Sequence, residues 1–533
     1  MTGQSGSQAQ TRRQLLTKIG VLTGSAGLYQ AMTSMGHAMS TDFKGPPKLS
    51  GAKPGTRVVV LGAGLAGLLA AYELRQAGYK VRLLEFQNGA GGRNISLRGG
   101  DSVTELGGAT QKVAFAPGNY INPGPWRIPY HHQGLLYYCR KFGVALEPFI
   151  QLNHNAWLHS SQAYGGKPLR YREFAADFSG YTAELLAKAI NQHRLDDIVT
   201  PEERAHVLSS IGTWANLDDD GVWRAGARSS QHRGYDKARG AGVDGAPTFS
   251  TPAPRSEVMG SGLAQWLAFP EQLDMQTTMF QPVGGMDNIG KGFARQVQDL
   301  ITLGCMVTAI HQDEHGVKIL YDDVAHGGAA RVEEADYCVC TIPLPVLSQL
   351  DVQVSDRMKA AIAAVPYASS VKLGMEFKRR FWEDDDQIYG GISFTDQPIG
   401  QIAYPSHGIF SQGPAVLLGG YMFGPAAMEF TTMTPAQRIE EGLRQGQVLH
   451  PGYRSEFRNG VAVAWSRMPW TLGCCSMWSE QARKMHYKTL VGMENRLVLA
   501  GEHASYVGCW QEGAILSSLA AVEQIHKRAQ GVG

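Results

Sequence analysis

One stretch of this chain restricts its fold more than any other. Arg57-Val58-Val59-Val60-Leu61 reads as a β-strand, and Gly62-x-Gly64-x-x-Gly67 follows it. An Ala/Leu-rich run then reaches Gly78, and Lys80-Val81-Arg82-Leu83-Leu84 leads to Glu85. Glycine is common here, 64 of 533 residues, so the spacing alone says little. The order strand, glycine turn, helix, strand, acid carries the signal. Gly62 permits a tight turn, and Gly64 lets the backbone approach a pyrophosphate. Gly67 lets the helix pack closely on the strand, and the helix N-terminus at Leu65 and Ala66 attracts phosphate charge. Glu85 can accept hydrogen bonds from a ribose diol, which favours FAD or NAD over NADP.

A chain of 533 residues, 43% hydrophobic and 18% charged, implies two or three globular domains. Net charge is +2 with no basic run, so composition does not suggest nucleic acid. The seven cysteines are odd in number and form no C-x-x-C pair. Neither a disulfide framework nor a zinc site follows, and buried free thiols are the reading for all seven. Near the start, Arg12-Arg13 precedes a mildly apolar run to about Ala31, with small residues near Gly36-His37-Ala38. This resembles a Tat signal over residues 1–40 and predicts export to the periplasm or medium; without a working leader the chain stays cytoplasmic. The run is too short and polar to span a bilayer, and no other segment looks transmembrane.

Periodicity predicts helices over Gly134–Phe142, Phe174–Arg194, Pro201–Trp214 and Gln511–Ala529, and a long loop from Asp218 to Arg255. Strands are expected at Val307–Leu320, Tyr337–Thr341 and Arg496–Ala500. The fold class is α/β (α+β). A Rossmann-like dinucleotide domain (54–125, 282–345 and 468–533) carries a helical insertion (126–281) and a mixed-sheet substrate domain (346–467).

Further motifs carry chemistry. In Gly91-Gly92-Arg93 the paired glycines allow close backbone approach, and the guanidinium can pair with a pyrophosphate oxygen. Glu105-Leu106-Gly107-Gly108 and Gly124-Pro125-Trp126-Arg127-Ile128-Pro129 follow. Lys372 precedes Phe381-Trp382-Glu383-Asp384, and Tyr404 lies in Ala403-Tyr404-Pro405. Gly501-Glu502 comes before Trp510-Gln511-Glu512. A helix opening at Gln511 would aim its N–H groups at a ligand on which negative charge develops. His131, His132 and His503 are acid/base candidates by type only, since no recognised catalytic or zinc spacing contains them.

In this order the motifs resemble the flavin-dependent amine oxidase superfamily, most closely the bacterial secreted L-amino-acid oxidases, over roughly 54–533. The chain departs from the pattern between Gly108 and Gly124, where 109–123 is longer than usual. The resemblance implies bound FAD held by Gly62, Gly64, Leu65, Ala66, Gly67, Glu85, Gly92, Arg93, Gly107, Gly108, Val307, Gly501, Glu502, Trp510 and Gln511. Arg127 and Tyr404 would bind a substrate carboxylate, Trp510 would form an aromatic wall, and Lys372 would hold a water near flavin N5. Glu512 is expected to point away from the flavin. The implied reaction is oxidative deamination of an L-amino acid by O2, giving a 2-oxo acid, ammonia and hydrogen peroxide. A monoamine oxidase, an amino-acid 2-monooxygenase and a non-enzymatic flavoprotein remain as alternatives. A homodimer is a possible assembly.

Overall fold

The computed structural model describes Thr41 and residues 43–531. The Tat-like leader at 1–40 lies outside these residues. The first element is the expected one: strand Arg57–Leu61, helix Leu65–Gln76 and strand Lys80–Leu84. Their strands belong to a five-stranded parallel sheet in the order Ile301–Thr302, Lys80–Leu84, Arg57–Leu61, Tyr337–Cys340, Leu497–Leu499. Parallel strands are covered on both faces, which explains runs such as Val58–Leu61 that are apolar at every position. On one face Leu68, Leu69 and Leu74 pack with Val522 and Ile525 of the C-terminal helix Gln511–Ala529. On the other, Val59, Leu61, Cys338 and Cys340 pack with Ile310 and Ile319 of a four-stranded sheet. Segments from the early, middle and late parts of the chain therefore build one sheet.

The second large sheet has seven strands, in the order Leu169–Arg170, Trp157–His159, Gly391–Thr395, Gln401–Tyr404, Ala415–Phe423, Ser370–Phe377, Phe457–Ala464. Two of them come from the segment expected to be helical, because Phe394 and Thr395 pair in parallel with Leu158 and His159. The sheet has two buried faces. Ala403, Leu418, Val461 and Val463 face one cluster with Trp266 and Trp465; Leu373, Met375, Ile402 and Leu417 face another with Phe430 and Leu443.

The helices Gln133–Lys141, Tyr171–Asn191 and Pro201–Ala215 fall within a few residues of expectation. The segment 218–255 is not one loop. It holds helix Ala227–Arg233 and a two-stranded ribbon, Tyr235–Lys237 with Thr248–Phe249. Asp177 organises it from helix Tyr171–Asn191: its carboxylate pairs with the Arg233 guanidinium and accepts from Trp223 Nε1 at 2.9 Å and Ala253 N at 3.0 Å. Polar ties of that kind leave no periodic apolar pattern for sequence reading to detect. Among the described residues no helix is long and apolar enough to cross a membrane.

Candidate active site

Between the two large sheets lies a cavity of about 670 Å³. Its end at the first glycine turn is made of backbone. Gly62 has a φ of +95°, and a Cβ there would sit 2.6 Å from the Thr341 hydroxyl. A Cβ on Gly67 would sit 1.9 Å from Gly62 O, so helix and strand can meet only through glycine. Gly92, at φ +58°, would bring a Cβ 3.0 Å from Gly64 Cα. The two glycine motifs are thus packed backbone to backbone, and a Gly64–Gly91 bridge joins them. Gly62, Gly64, Leu65, Ala66, Gly92 and Arg93 line the cavity, while Gly67 supports it from behind.

Glu85 lines the same end. Its Oε2 accepts from Ala63 N at 2.5 Å and its Oε1 from Gln87 N at 2.8 Å. Each oxygen keeps a second lone pair that can face a ribose hydroxyl. Burial raises the carboxyl pKa against the pull of these N–H groups. Val307 lies on strand Cys305–Gln312 and lines the cavity with Met306 and Thr308.

Glu502 and Arg93 form the next layer. Arg93 Nη1 stands 3.1 Å from Glu502 Oε1 and donates to Cys474 O at 2.5 Å. Glu502 also accepts from the Ser476 hydroxyl at 2.7 Å and Cys509 N at 3.0 Å. Burial disfavours its charge, but Arg93 and these donors outweigh it and hold its pKa below the usual carboxylate value. The segments carrying those donors are also joined covalently: Cys475 and Cys509 form a disulfide with Cα atoms 5.0 Å apart. The reading of seven free thiols is therefore corrected. The partners are 34 residues apart and meet only because both segments wrap Glu502.

Gly501, Trp510 and Gln511 line the cavity at the start of helix Gln511–Ala529. Glu512 points away from it. Its buried carboxylate accepts from Gly134 N at 2.9 Å and Leu135 N at 2.6 Å, capping helix Gln133–Lys141. A carboxylate at a helix N-terminus is favourably placed.

Gly107 and Gly108 are elsewhere. They form the exposed turn of a hairpin between Ser102–Thr104 and Thr110–Lys112, both at positive φ, and neither lines the cavity. The residues after them fold into this hairpin, so the chain returns to the cavity only at Gly124 and Pro125. A Cβ on Gly124 would sit 1.9 Å from Arg93 O, so the return to the cavity leaves no room for a side chain there.

Beyond Gly124 and Pro125 the surroundings of the cavity are built from side chains. Lys372 lies on strand Ser370–Phe377, where Val371 and Leu373 point into the cluster with Phe430 and Lys372 points the other way. It is 2% exposed. Its Nζ donates to Gly124 O at 2.5 Å and lies 4.3 Å from the centre of the Tyr421 ring. Burial first, and the nearby Arg127 charge, bring its pKa down from 10.5 to about 7.

Arg127 is 4% exposed. Its guanidinium donates to Gln151 Oε1 at 3.0 Å and Met275 Sδ at 3.0 Å, and it stacks on Trp126 at 4.8 Å. Among the described residues no carboxylate lies within ion-pair distance of it, although each of the other buried arginines described, Arg233, Arg380 and Arg438, has one.

Tyr404 does not join this group. It lies on strand Gln401–Tyr404, in the cluster with Leu373 and Phe430 on the opposite face of the sheet from Lys372. Its hydroxyl is 2.7 Å from both Ser393 Oγ and His450 Nε2. The tyrosine on the cavity face is Tyr421, directly in register with Lys372 and lining the cavity. Trp465 and Trp470 line it with Trp510 and were not anticipated.

The glycine-built end of the cavity fits a flavin cofactor, and Arg127 and Lys372 stand just behind its wall at Gly124 and Pro125 rather than in its lining. YobN of Bacillus subtilis (strain 168), whose name assigns it provisionally as an L-amino-acid oxidase, is 28% identical over 508 residues, covering 90% of this chain and 96% of that protein. An L-amino-acid oxidase of Siganus canaliculatus is 25% identical over 483 residues, covering 88% and 85%. The solved cyclohexylamine oxidase from Brevibacterium oxydans IH-35A shares the fold, with a TM-score of 0.59 at 16% identity over 90% of this chain and all of that one. The flavin containing amine oxidoreductase family matches residues 65–526, and the chain belongs to that family.

Proposed function

We propose that the protein is an FAD-dependent L-amino-acid oxidase. It would convert an L-amino acid, water and O2 into a 2-oxo acid, ammonia and hydrogen peroxide. The observation that carries this reading is Arg127: a buried guanidinium bonded to an amide and a thioether, with no carboxylate partner among the described residues. A buried charge is normally paired, and the carboxylate of a substrate supplies the partner.

The flavin, when bound, takes a hydride equivalent from the substrate Cα–H and returns two electrons to O2. The chain's own residues bind and orient. Arg127 pairs with the carboxylate, and Tyr421, on the same face as Lys372, helps hold it. Trp510, Trp465 and Trp470 wall the site and keep water sparse. Lys372, with a pKa near 7, can hold or release a proton at Nζ at neutral pH.

Peroxide, ammonia and oxo-acid release from the twenty L-amino acids, several D-amino acids and their decarboxylated amines tests the reading. L-Amino acids are expected to turn over with one peroxide per oxo acid. Turnover of amines alone would assign a monoamine oxidase, and an amide product without peroxide would assign a 2-monooxygenase.

A further inference from the structure

We propose that His131, His132 and Asp274 form a binding site for a divalent cation of the zinc class. The three side chains are buried, at 8%, 0% and 1% exposure. His131 Nε2 stands 3.0 Å from Asp274 Oδ1 and His132 Nε2 stands 3.7 Å from it. One ligand atom from each residue falls within 4.8 Å of the other two.

Two observations separate this trio from an ordinary buried Asp–His pair. First, none of the six nitrogen and oxygen atoms has a protein partner in hydrogen-bonding geometry, despite the 3.0 Å approach. Groups that aim at a shared third atom come close to one another without pointing at one another. Ligands about 2.1 Å from a tetrahedral zinc lie about 3.4 Å apart, and the two recorded separations bracket that value. Secondly, the two rings meet at 90° with centroids 4.8 Å apart, so adjacent residues in the chain offer nitrogen lone pairs from different planes. Two imidazoles and one carboxylate suit zinc and its first-row neighbours better than calcium or magnesium.

None of the three lines the cavity, so the ion would act as a tie. It would join the 3-10 turn Leu273–Met275 to the start of helix Gln133–Lys141. Met275 of that turn touches Arg127, and the His132 ring packs edge-on against Trp510 at 5.0 Å. The tie therefore holds two walls of the proposed substrate pocket.

The test uses the flavin-loaded protein, treated with chelator, incubated with Zn2+ and passed through gel filtration. Metal analysis should find one zinc per chain, and X-ray absorption at the zinc edge should show a nitrogen and oxygen shell. His131→Gln and Asp274→Asn should each weaken zinc binding at least about tenfold while retaining flavin. No retained zinc in the unaltered protein would overturn the proposal. So would a sulfur shell at about 2.3 Å, which would place the metal on cysteine, or undiminished binding in both variants.

Discussion

Two tyrosines on adjacent strands of the seven-stranded sheet meet opposite environments. Tyr404 is sealed among Leu373, Trp382 and Tyr453, its hydroxyl held by Ser393 and His450. Tyr421 stands on the other face, in register with Lys372, and its ring carries the Lys372 ammonium. The strand period of two makes this difference. A side chain displaced by one position changes from wall to lining. The face with Phe430 and Leu443 is packed core, and the face with Lys372 and Tyr421 borders the cavity.

Substitutions on the two faces should separate accordingly. Lys372→Met is expected to lower turnover about a hundredfold while flavin stays bound, measured by peroxide release and the flavin absorption band. Retained turnover would remove Lys372 from the chemistry. Tyr421→Phe is expected to raise the KM for an amino acid about tenfold with a smaller effect on kcat, read from steady-state kinetics. Tyr404→Phe should leave both constants unchanged and cost about 1–2 kcal/mol in urea unfolding, because a buried hydrogen-bonded hydroxyl is lost. If Tyr404→Phe changed KM and Tyr421→Phe did not, the assignment of the two faces would be reversed.

Lys372 also predicts a pH dependence of stability. Its pKa is about 7 folded against 10.5 for the free side chain. Between those values the unfolded chain binds more protons, so this group makes stability rise with pH from about 7 to about 10.5. Below pH 7 the full penalty of charging a buried amine applies. The stability difference between Lys372→Met and the unaltered protein should therefore shrink as pH rises through that window. A difference independent of pH would show that Lys372 titrates normally.

The dinucleotide end was legible from sequence because its requirements are local. Gly62, Gly67 and Gly92 are glycines for reasons a short motif contains: a positive φ or a backbone contact with no room for a Cβ. Glu85, Arg93, Glu502 and Trp510 sit at fixed short distances from such glycines, and all line the cavity. The proposed substrate site depends on pairing across the sheet. Tyr421 reaches Lys372 through a register that includes an irregularity between Leu373 and Gly374, which no spacing along the chain encodes. Gly107 and Gly108 misled for a related reason. The hairpin Ser102–Lys112 uses their positive φ for a turn and delays the return to the cavity until Gly124. The Cys475–Cys509 bond and the His131, His132 and Asp274 trio join distant segments through tertiary contacts alone.

The central claim is that Arg127 selects a carboxylate, and one comparison tests it most directly. It is the ratio of kcat/KM for a good L-amino acid to that for its decarboxylated amine, in the unaltered protein and in Arg127→Met. The account predicts a preference for the amino acid of at least about a hundredfold, since a buried charge-assisted pair contributes about 3 kcal/mol or more. Arg127→Met should abolish that preference with flavin still bound. An undiminished preference in Arg127→Met would contradict the account.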